Sequence, residues 1–509
     1  MTTPTNTTTT TATPPPPVAP EVKPPPKITI DGVTVEFKPG ETIMNVVDRT
    51  KITESLPRYC YHPGLSIAGS CRMCQVEVEK APKLMTACSS PAGDGMIVHT
   101  KSEKVKKSRE GVMETLLANH PLDCPVCDQA GECSLQNYNF EYGPNTSKMK
   151  EPKRVFEDKT TYKLSEELTI NMNRCVHCER CIRFTEDVTK TNELIMVGRG
   201  WRKEIVTAGD AGMKNDYQGC ISEICPVGAF TYTDFRFKKR VWFLKKSPTV
   251  CDGCSKGCNV FADTEHDVVY RLRSRENQKV NSYWMCDEGR KSFHTYEKRV
   301  TTPRLANDLT KAVAWKNAIA EVAEKLVGAK RVLVVIGTDA TSEEAIEIIN
   351  RMSALSSSAE IRFHNGVNGV TTSQDNKKID TLLKQSDKTA NTKGLEALNL
   401  KPLSKSESGF DFVLHYRSGR AAIISNLGKY QVACGVFNES ELSSYQVILP
   451  GLTTYEKSGS YTNCDGIEQS FKQVTKPNPD VASVSQIFNA LEEVIKANHL
   501  SSKNGRAHV

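Results

Sequence analysis

Along KITIDGVTVEF (27–37) apolar and polar positions alternate on both sides of Asp31-Gly32, a dipeptide suited to a two-residue hairpin turn. MNVVDRT (44–50) reads as a short helix, and CQVEVEK (74–80) alternates again as a strand, so residues 27 to about 105 are expected to be β-rich. EKVKKSREGVMETLLANH (103–120) has a helical pattern, whereas 146–240 holds few long periodic runs. After residue 300 the pattern changes. AVAWKNAIAEVAEKLVGA (312–329) predicts a helix, RVLVVIG (331–337) a buried strand, and TDATSEEAIEIINRMSAL (338–355) a second helix opened by a Thr341/Glu344 capping box. A strand, a tight turn and a helix make a βα unit, so this half is expected to be α/β. FVLHY (412–416) and YQVILPG (445–451) repeat the strand signal, and VSQIFNALEEVIKAN (484–498) closes as a helix. The turn after Val335-Ile336 reads GTDA, which lacks the glycines of a dinucleotide fingerprint.

Length and composition narrow the class. The 509 residues predict three to five domains and ample core without disulfide staples. Residues 2–26 are rich in Thr and Pro and have no apolar core region, so 1–26 is expected to be a disordered tail, not a signal peptide. No stretch approaches 18 consecutive apolar residues, so no membrane-spanning helix is expected. The net charge of +7 is spread thinly, and the basic run RFKKRVWFLKK (236–246) reads as a solvated connector, not a nucleic-acid surface. Many cysteines without an export signal point to a reducing compartment, where cysteines are metal ligands more often than disulfides.

Sixteen of the 18 cysteines precede residue 287, and fifteen of these fall into four groups. The first is Cys60, Cys71, Cys74, Cys88, with Gly64 and Gly69 in a loop expected to approach a cofactor closely and leave N–H groups for sulfur. Four thiolates in a β-rich plant-type ferredoxin fold predict a [2Fe–2S] cluster, with a zinc ribbon as the alternative. The second is His120, Cys124, Cys127, Cys133. Three cysteines call for a fourth ligand, and His120 lies one helical turn before Cys124, so a histidine-ligated [4Fe–4S] cluster is expected, against zinc or a three-ligand cluster. The third is Cys175, Cys178, Cys181 in a C-x2-C-x2-C run, completed by the distant proline-linked Cys225, with Cys220 as the other candidate. His177, between two of these ligands, reads as a surface residue. The fourth is Cys251, Cys254, Cys258, Cys286. Two thiolates about 4 Å apart repel by about 4 kcal/mol at an effective dielectric of about 20, so four must bind metal or stay protonated and apart. Structural zinc is again the alternative. Cys434 and Cys464 read as ordinary small residues.

Taken in order, these groups closely resemble the large iron–sulfur subunit family of respiratory complex I, the G chain of bacterial NADH–quinone oxidoreductase. The resemblance rests on CYHPGLSIAGSCRMCQVEVE (60–79), NHPLDCPVCDQAGECSLQ (119–136), RCVHCERCIRF (174–184), ICPVGAF (224–230), RVWFLKK (240–246) and WMCDEGR (284–290). YEKSGSYTNCDGIEQSF (455–471) is similar to a segment near the end of molybdopterin oxidoreductases, but with Ser460, Asp465 and Ile467 where Thr, Glu and Arg are usual. The resemblance implies a multidomain α+β chain. After the tail come a plant-type [2Fe–2S] domain (27–105), a histidine-ligated [4Fe–4S] domain (106–145) and a single-cluster ferredoxin-like domain (146–243). A [4Fe–4S] domain of molybdopterin-oxidoreductase type (244–300) and a shortened, degenerate α/β relative of that fold (301–509) follow. It further implies one [2Fe–2S] and three [4Fe–4S] clusters, no molybdenum, and no separate substrate site. Electrons would pass from a flavin-bearing NADH dehydrogenase subunit through this chain towards quinone, with the fourth cluster off the route. Implied partners are the NADH/FMN-binding subunit, a small [2Fe–2S] subunit and quinone-side iron–sulfur subunits, without nucleic acid. The implied place is the cytoplasmic face of the bacterial inner membrane, bound only through the complex. An NAD-linked formate dehydrogenase is the rival reading. It needs a full molybdopterin domain and a metal-ligand cysteine or selenocysteine, yet no cysteine lies between 286 and 434. A hydrogenase would need a further cysteine-rich catalytic domain.

Overall fold

A computed structural model of the chain describes residues 24–306, 308–424 and 426–504. Most of the expected tail, residues 1–23, lies outside the described residues. The chain divides into two compact units, one of residues 1–58 and 71–112, the other of 59–70 and 113–509.

In the first unit, β1 (Lys27–Ile30) and β2 (Val33–Glu36) pair antiparallel around Asp31 and Gly32. Both turn residues have positive φ, 47° and 84°, as the expected tight turn requires. Helix α1 (Ile43–Thr50) opens with a capping box between Thr42 and Asn45 and buries Ile43, Met44, Val46 and Val47. Strands β3 (Gln75–Val78), β4 (Met85–Thr86) and β5 (Met96–His99) complete a five-stranded sheet of order β2-β1-β5-β3-β4. Ile28, Ile30, Val76 and Val98 point from alternate positions into its core, where each is worth about 1.5–3 kcal/mol. Helix α2 (Glu103–Asn119) starts in this unit and ends in the second.

The cysteine-rich part of the second unit is built from short elements. These are α3 (Ser134–Tyr142), β6 (Tyr162–Lys163), β7 (Leu168–Ile170), α4 (Arg180–Arg183), β8 (Leu194–Val197), β9 (Glu204–Thr207), α5 (Gln218–Ile224) and β10 (Phe230–Tyr232). Strands β10, β7 and β6 form one small sheet, and β8 pairs with β9. Next come β11 (Lys245–Val250), β12 (Asn259–Glu265) and β13 (Val268–Ser274), an antiparallel meander, and the one-turn helix α6 (Asp287–Arg290).

The remaining elements are β14 (Arg304–Leu305), α7 (Trp315–Val327), β15 (Val332–Gly337), α8 (Ser342–Leu355), β16 (Ala359–His364), α9 (Thr392–Ala397) and β17 (Lys401–Pro402). They continue with β18 (Phe410–Arg417), β19 (Gly428–Gly435), β20 (Val447–Pro450), β21 (Gly459–Thr462), β22 (Glu468–Phe471) and α10 (Val484–Asn504). A seven-stranded sheet runs β14-β20-β19-β18-β15-β16-β17, parallel except for the edge strand β14. Val332, Val334 and Ile336 of β15 share a core with Ala318, Ile319 and Val322 of α7, Ala345 and Ile348 of α8, and Ile487, Phe488 and Leu491 of α10. Leu333 and Val335 face a second cluster on the other side. That two-sided burial explains why RVLVVIG is apolar throughout. The expected Thr341/Glu344 capping box is present. Cys434 lies in the α7–α8–α10 core as a small apolar residue.

Candidate metal centres

The fourth group has the most fully described surroundings. Cys251 follows β11 and Cys258 precedes β12, and the Cys251 N–H donates to the Cys258 carbonyl at 2.8 Å, which closes the loop between them. Cys286 is the N-cap of α6, and its sulfur accepts from the Gly289 N–H at 3.3 Å. All four cysteines line one pocket with Gly253, Met285, Glu288, Gly289, Lys384 and Lys388. Glycine leaves the sulfurs room at the rim. A Cβ on Gly289 would sit 3.1 Å from the Cys251 sulfur and 3.3 Å from that of Cys286, and one on Gly253 3.3 Å from Cys251. Burial pushes all four thiols up, Cys286 to about 12, and the charges of neighbouring cysteines add to it at Cys251, Cys258 and Cys286. Left without a cation, such a set stays protonated, so its donor chemistry fits a metal group.

In the third group Cys181 lies in α4, while Cys225 ends α5. Between Cys175 and Cys181 the backbone of His177 and Glu179 is left-handed, φ 51° and 60°, which coils three sulfurs into one short stretch. Burial raises Cys181 well above its usual value, and the nearby charges of Cys178, Cys175 and Cys225 raise it further. Cys225 is thus the residue brought to the other three. Cys220 points elsewhere, its sulfur 3.2 Å from the Met285 carbonyl and 3.7 Å from an Arg290 nitrogen. The His177 ring bonds the Lys203 carbonyl at 3.0 Å.

In the second group Cys133 caps the N-terminus of α3 and its sulfur lies 3.8 Å from the Pro226 carbonyl. After burial, the charges of Cys127 and Cys124 are further causes that raise the Cys133 thiol, so these three share one locality. Cys124 is exposed. His120 directly follows α2. Burial, then the Arg174 charge, lowers its pKa to about 4, which leaves a neutral imidazole with a lone pair at neutral pH. Arg174 is buried, pairs with Asp123 at 2.9 Å, and also acts on Cys127.

The first group is divided between the units. Cys71, Cys74 and Cys88 belong to the first and Cys60 to the second. Cys74 and Cys88 are buried, and the Ala87 N–H bonds the Cys74 carbonyl at 3.1 Å. Gly69 takes φ 61°. Gly64 also answers a packing demand. A Cβ there would meet the Tyr283 ring at 2.6 Å and the Trp284 ring at 2.8 Å, so aromatic packing fixes its size. Among the described residues no three His, Cys, Asp or Glu side chains close to the spacing of a single bound ion.

Two kinds of residue escaped the sequence reading. Gly228 is one, since a Cβ on it would lie 2.3 Å from the Cys127 sulfur. Only its place in ICPVGAF hinted at it. The other kind is the degenerate C-terminal segment, which ties the fourth group down. The Gln469 amide donates to the Gly257 carbonyl at 2.8 Å, the Cys464 N–H to Ser255 at 2.7 Å, and Glu456 pairs with Arg299 at 2.6 Å.

Comparison with known families matches the chain piece by piece. Residues 24–103 match a 2Fe-2S iron-sulfur cluster binding domain, and 109–148 the NADH-ubiquinone oxidoreductase-G iron-sulfur binding region. Residues 165–231 match the ferredoxin-like domain of NADH-quinone oxidoreductase subunit 3. Residues 244–297 match the molybdopterin oxidoreductase Fe4S4 domain, and 322–494 molybdopterin oxidoreductase. Among curated proteins, the G chain of NADH-quinone oxidoreductase from Rickettsia bellii is 39% identical over 306 residues, 60% of this chain and 44% of that one. The mitochondrial NADH-ubiquinone oxidoreductase 78 kDa subunit of Candida albicans is 41% identical over 301 residues, 58% of this chain and 41% of that one. A solved chain of an NAD+-reducing [NiFe]-hydrogenase aligns with 42% of this chain and 91% of its own length, at 26% identity and a TM-score of 0.37. The chain spans about half the length of the curated relatives it matches. With [2Fe–2S] and [4Fe–4S] binding domains followed by a molybdopterin-oxidoreductase region, all in one order, the chain is similar over these stretches to the G chain of NADH-quinone oxidoreductase.

Proposed function

We propose that the chain is an electron-relay subunit of an NADH–quinone oxidoreductase. Its [2Fe–2S] cluster is assigned to Cys60, Cys71, Cys74 and Cys88, with Gly69 in the approaching loop. Three [4Fe–4S] clusters are assigned to His120, Cys124, Cys127 and Cys133; to Cys175, Cys178, Cys181 and Cys225; and to Cys251, Cys254, Cys258 and Cys286. The observation that carries this reading is the four-cysteine pocket of the fourth group, with glycines where an added Cβ would crowd sulfur at 3.1–3.3 Å. The grouping of Cys225 with Cys175, Cys178 and Cys181 supports it. When bound, these groups supply one-electron acceptors and donors.

The chain's own residues hold, shield and tune. Burial of the cysteines other than Cys71, Cys124 and Cys175 keeps water from most of each centre. Gly228, Gly253 and Gly289 keep carbon out of the space beside sulfur. The Gly253 and Gly289 N–H groups donate to the Cys251 and Cys286 sulfurs, and hydrogen bonds of this kind stabilise negative charge on a centre. His120 presents a neutral nitrogen in place of a fourth thiolate, which to first order raises the potential of that centre. The proposed partners are an NADH- and flavin-binding subunit, a small [2Fe–2S] subunit and quinone-side iron–sulfur subunits. The proposed location is the cytoplasmic face of a bacterial inner membrane, reached through the complex. No helix among the described residues is long and apolar enough to cross a membrane.

Elemental analysis of the anaerobically purified chain tests the assignment. One two-iron and three four-iron clusters give about 14 iron atoms per chain, with matching acid-labile sulfide and no molybdenum. Near-stoichiometric zinc with little sulfide overturns the cluster reading. Bound molybdopterin with formate turnover replaces it by the formate dehydrogenase reading.

A further inference from the structure

Helix α4 carries two arginines, Arg180 and Arg183, on either side of Cys181. Arg183 is only 7% exposed. Its guanidinium donates to the Cys60 carbonyl at 2.6 Å, to the Cys178 carbonyl at 3.1 Å, and to the Ser66 carbonyl. Arg180 makes a parallel pair of bonds, to the Tyr61 carbonyl at 2.7 Å and the Ile224 carbonyl at 2.9 Å. Both side chains therefore join the segment that starts at Cys60 to the backbone beside a cysteine of the third group.

Among the described residues, the hydrogen-bond acceptors of Arg183 are neutral carbonyls. Its charge also acts on the carboxylate of Asp187, which itself takes the Ser66 N–H at 2.8 Å and is not among the hydrogen-bond acceptors of Arg183. A guanidinium buried without a bonded carboxylate is costly, because carbonyl dipoles replace its water but not a counter-charge. A thiolate-ligated cluster is anionic and becomes more so on reduction. A fixed cation beside two such centres is neutralised by them, and in return favours their reduced forms.

We propose that Arg183 is a positioning residue shared by the first and third centres. It holds the Cys60 and Cys178 carbonyls on one guanidinium, and its charge favours the reduced state of both centres. The proposal rests on the ligand assignment above. A carboxylate in its place would repel both centres, and a neutral side chain would leave their reduction uncompensated.

The test is a redox titration of the full, iron-loaded chain followed by low-temperature EPR, with iron content measured in each variant. At the potential where a wild-type centre is half reduced, Arg183→Gln lowers the ratio of reduced to oxidised form about tenfold for both the [2Fe–2S] and the third [4Fe–4S] centre. Arg183→Lys keeps the charge but loses the fork, and its ratios stay within about twofold of wild type. An Arg183→Gln chain that holds its iron and titrates like wild type overturns the proposal. Should Arg183→Gln lose iron, Arg183→Lys decides: full iron with wild-type potentials upholds the role of the charge, and a tenfold fall despite that charge overturns it. A wild-type chain that takes up zinc without sulfide shows neither EPR signal, which overturns the ligand assignment before any variant is compared.

Discussion

His120 shows how one residue's surroundings select its chemistry. A free imidazole is half charged near pH 6.5, and a charged ring cannot bind metal. Burial and the Arg174 cation hold this one neutral. His120→Ala leaves the three cysteines of the second group in place. On the proposed function, the expected outcome is an open iron position, an altered EPR spectrum for one [4Fe–4S] centre alone, and slower electron transfer from NADH to quinone in the assembled complex. An unchanged spectrum with unchanged transfer would place the fourth ligand elsewhere. Cys464 is a residue that sequence alone read as inert, yet its backbone holds Ser255 of the fourth loop. Its role there is carried by the N–H, so side-chain type gave no signal.

At the scale of elements, β16 and β18 run side by side with β15 and carry His364 and His415 near their carboxyl ends. His415 is buried, bonded to Gln431 at 3.3 Å and edge-on to Tyr445. Burial lowers the pKa of His415 to about 4 from the ordinary 6.5 of a histidine. Between those values the unfolded chain binds a proton that the folded strand refuses. Stability is therefore complete above pH 6.5 and is lost as pH falls towards 4, by on the order of 3 kcal/mol for this group. His415→Gln should flatten the fall of the thermal midpoint across that window, whatever it does to the midpoint at pH 7. Parallel slopes for variant and wild type would show that His415 is not the titrating group. The strand was legible in FVLHY because its apolar run is continuous. The histidine's burial was not, because it depends on β15 and β19 flanking it.

For the whole molecule, the fourth group is where separate stretches of chain meet. Besides the bonds from Cys464 and Gln469, Ser255 donates to Asp387 at 2.9 Å, Arg420 to the Gly253 carbonyl at 2.7 Å, and Thr454 to Asp252 at 2.9 Å. All of these partners lie in the region after β15. A metal group on Cys251, Cys254, Cys258 and Cys286 would join the loop between β11 and β12 to the start of α6 and so fix the surface to which that region is hydrogen-bonded. Structural metal sites contribute on the order of 10 kcal/mol to folding. Cys286→Ala is therefore expected to remove one [4Fe–4S] signal and weaken assembly or thermal stability. On the proposed function, NADH–quinone turnover per assembled complex should stay within about twofold of wild type, since this centre is proposed to lie off the electron route. Fully assembled mutant complex that lost most of its turnover would put this centre on the electron path.

The sequence by itself determined the hairpin at Asp31-Gly32, the helix opened by Thr341 and the α/β character of the C-terminal half, and it proposed the four cysteine groups. Each of these is encoded within a few residues, by spacing, by turn chemistry or by an apolar run. The tertiary structure decided what depends on segments far apart in the chain. It brought Cys225 rather than Cys220 to Cys175, Cys178 and Cys181, because α5 turns Cys220 towards Met285 and Arg290. It assigned Gly64 to the packing of Tyr283 and Trp284, and it made Gly228 indispensable beside Cys127. It also set the Arg183 guanidinium between two carbonyls whose residues are 118 positions apart, Cys60 and Cys178. Spacing encodes how a loop can close on itself. Which distant side chain comes to fill, flank or neutralise that loop is settled only when the elements pack, since burial and Coulomb interactions act through space and not along the chain.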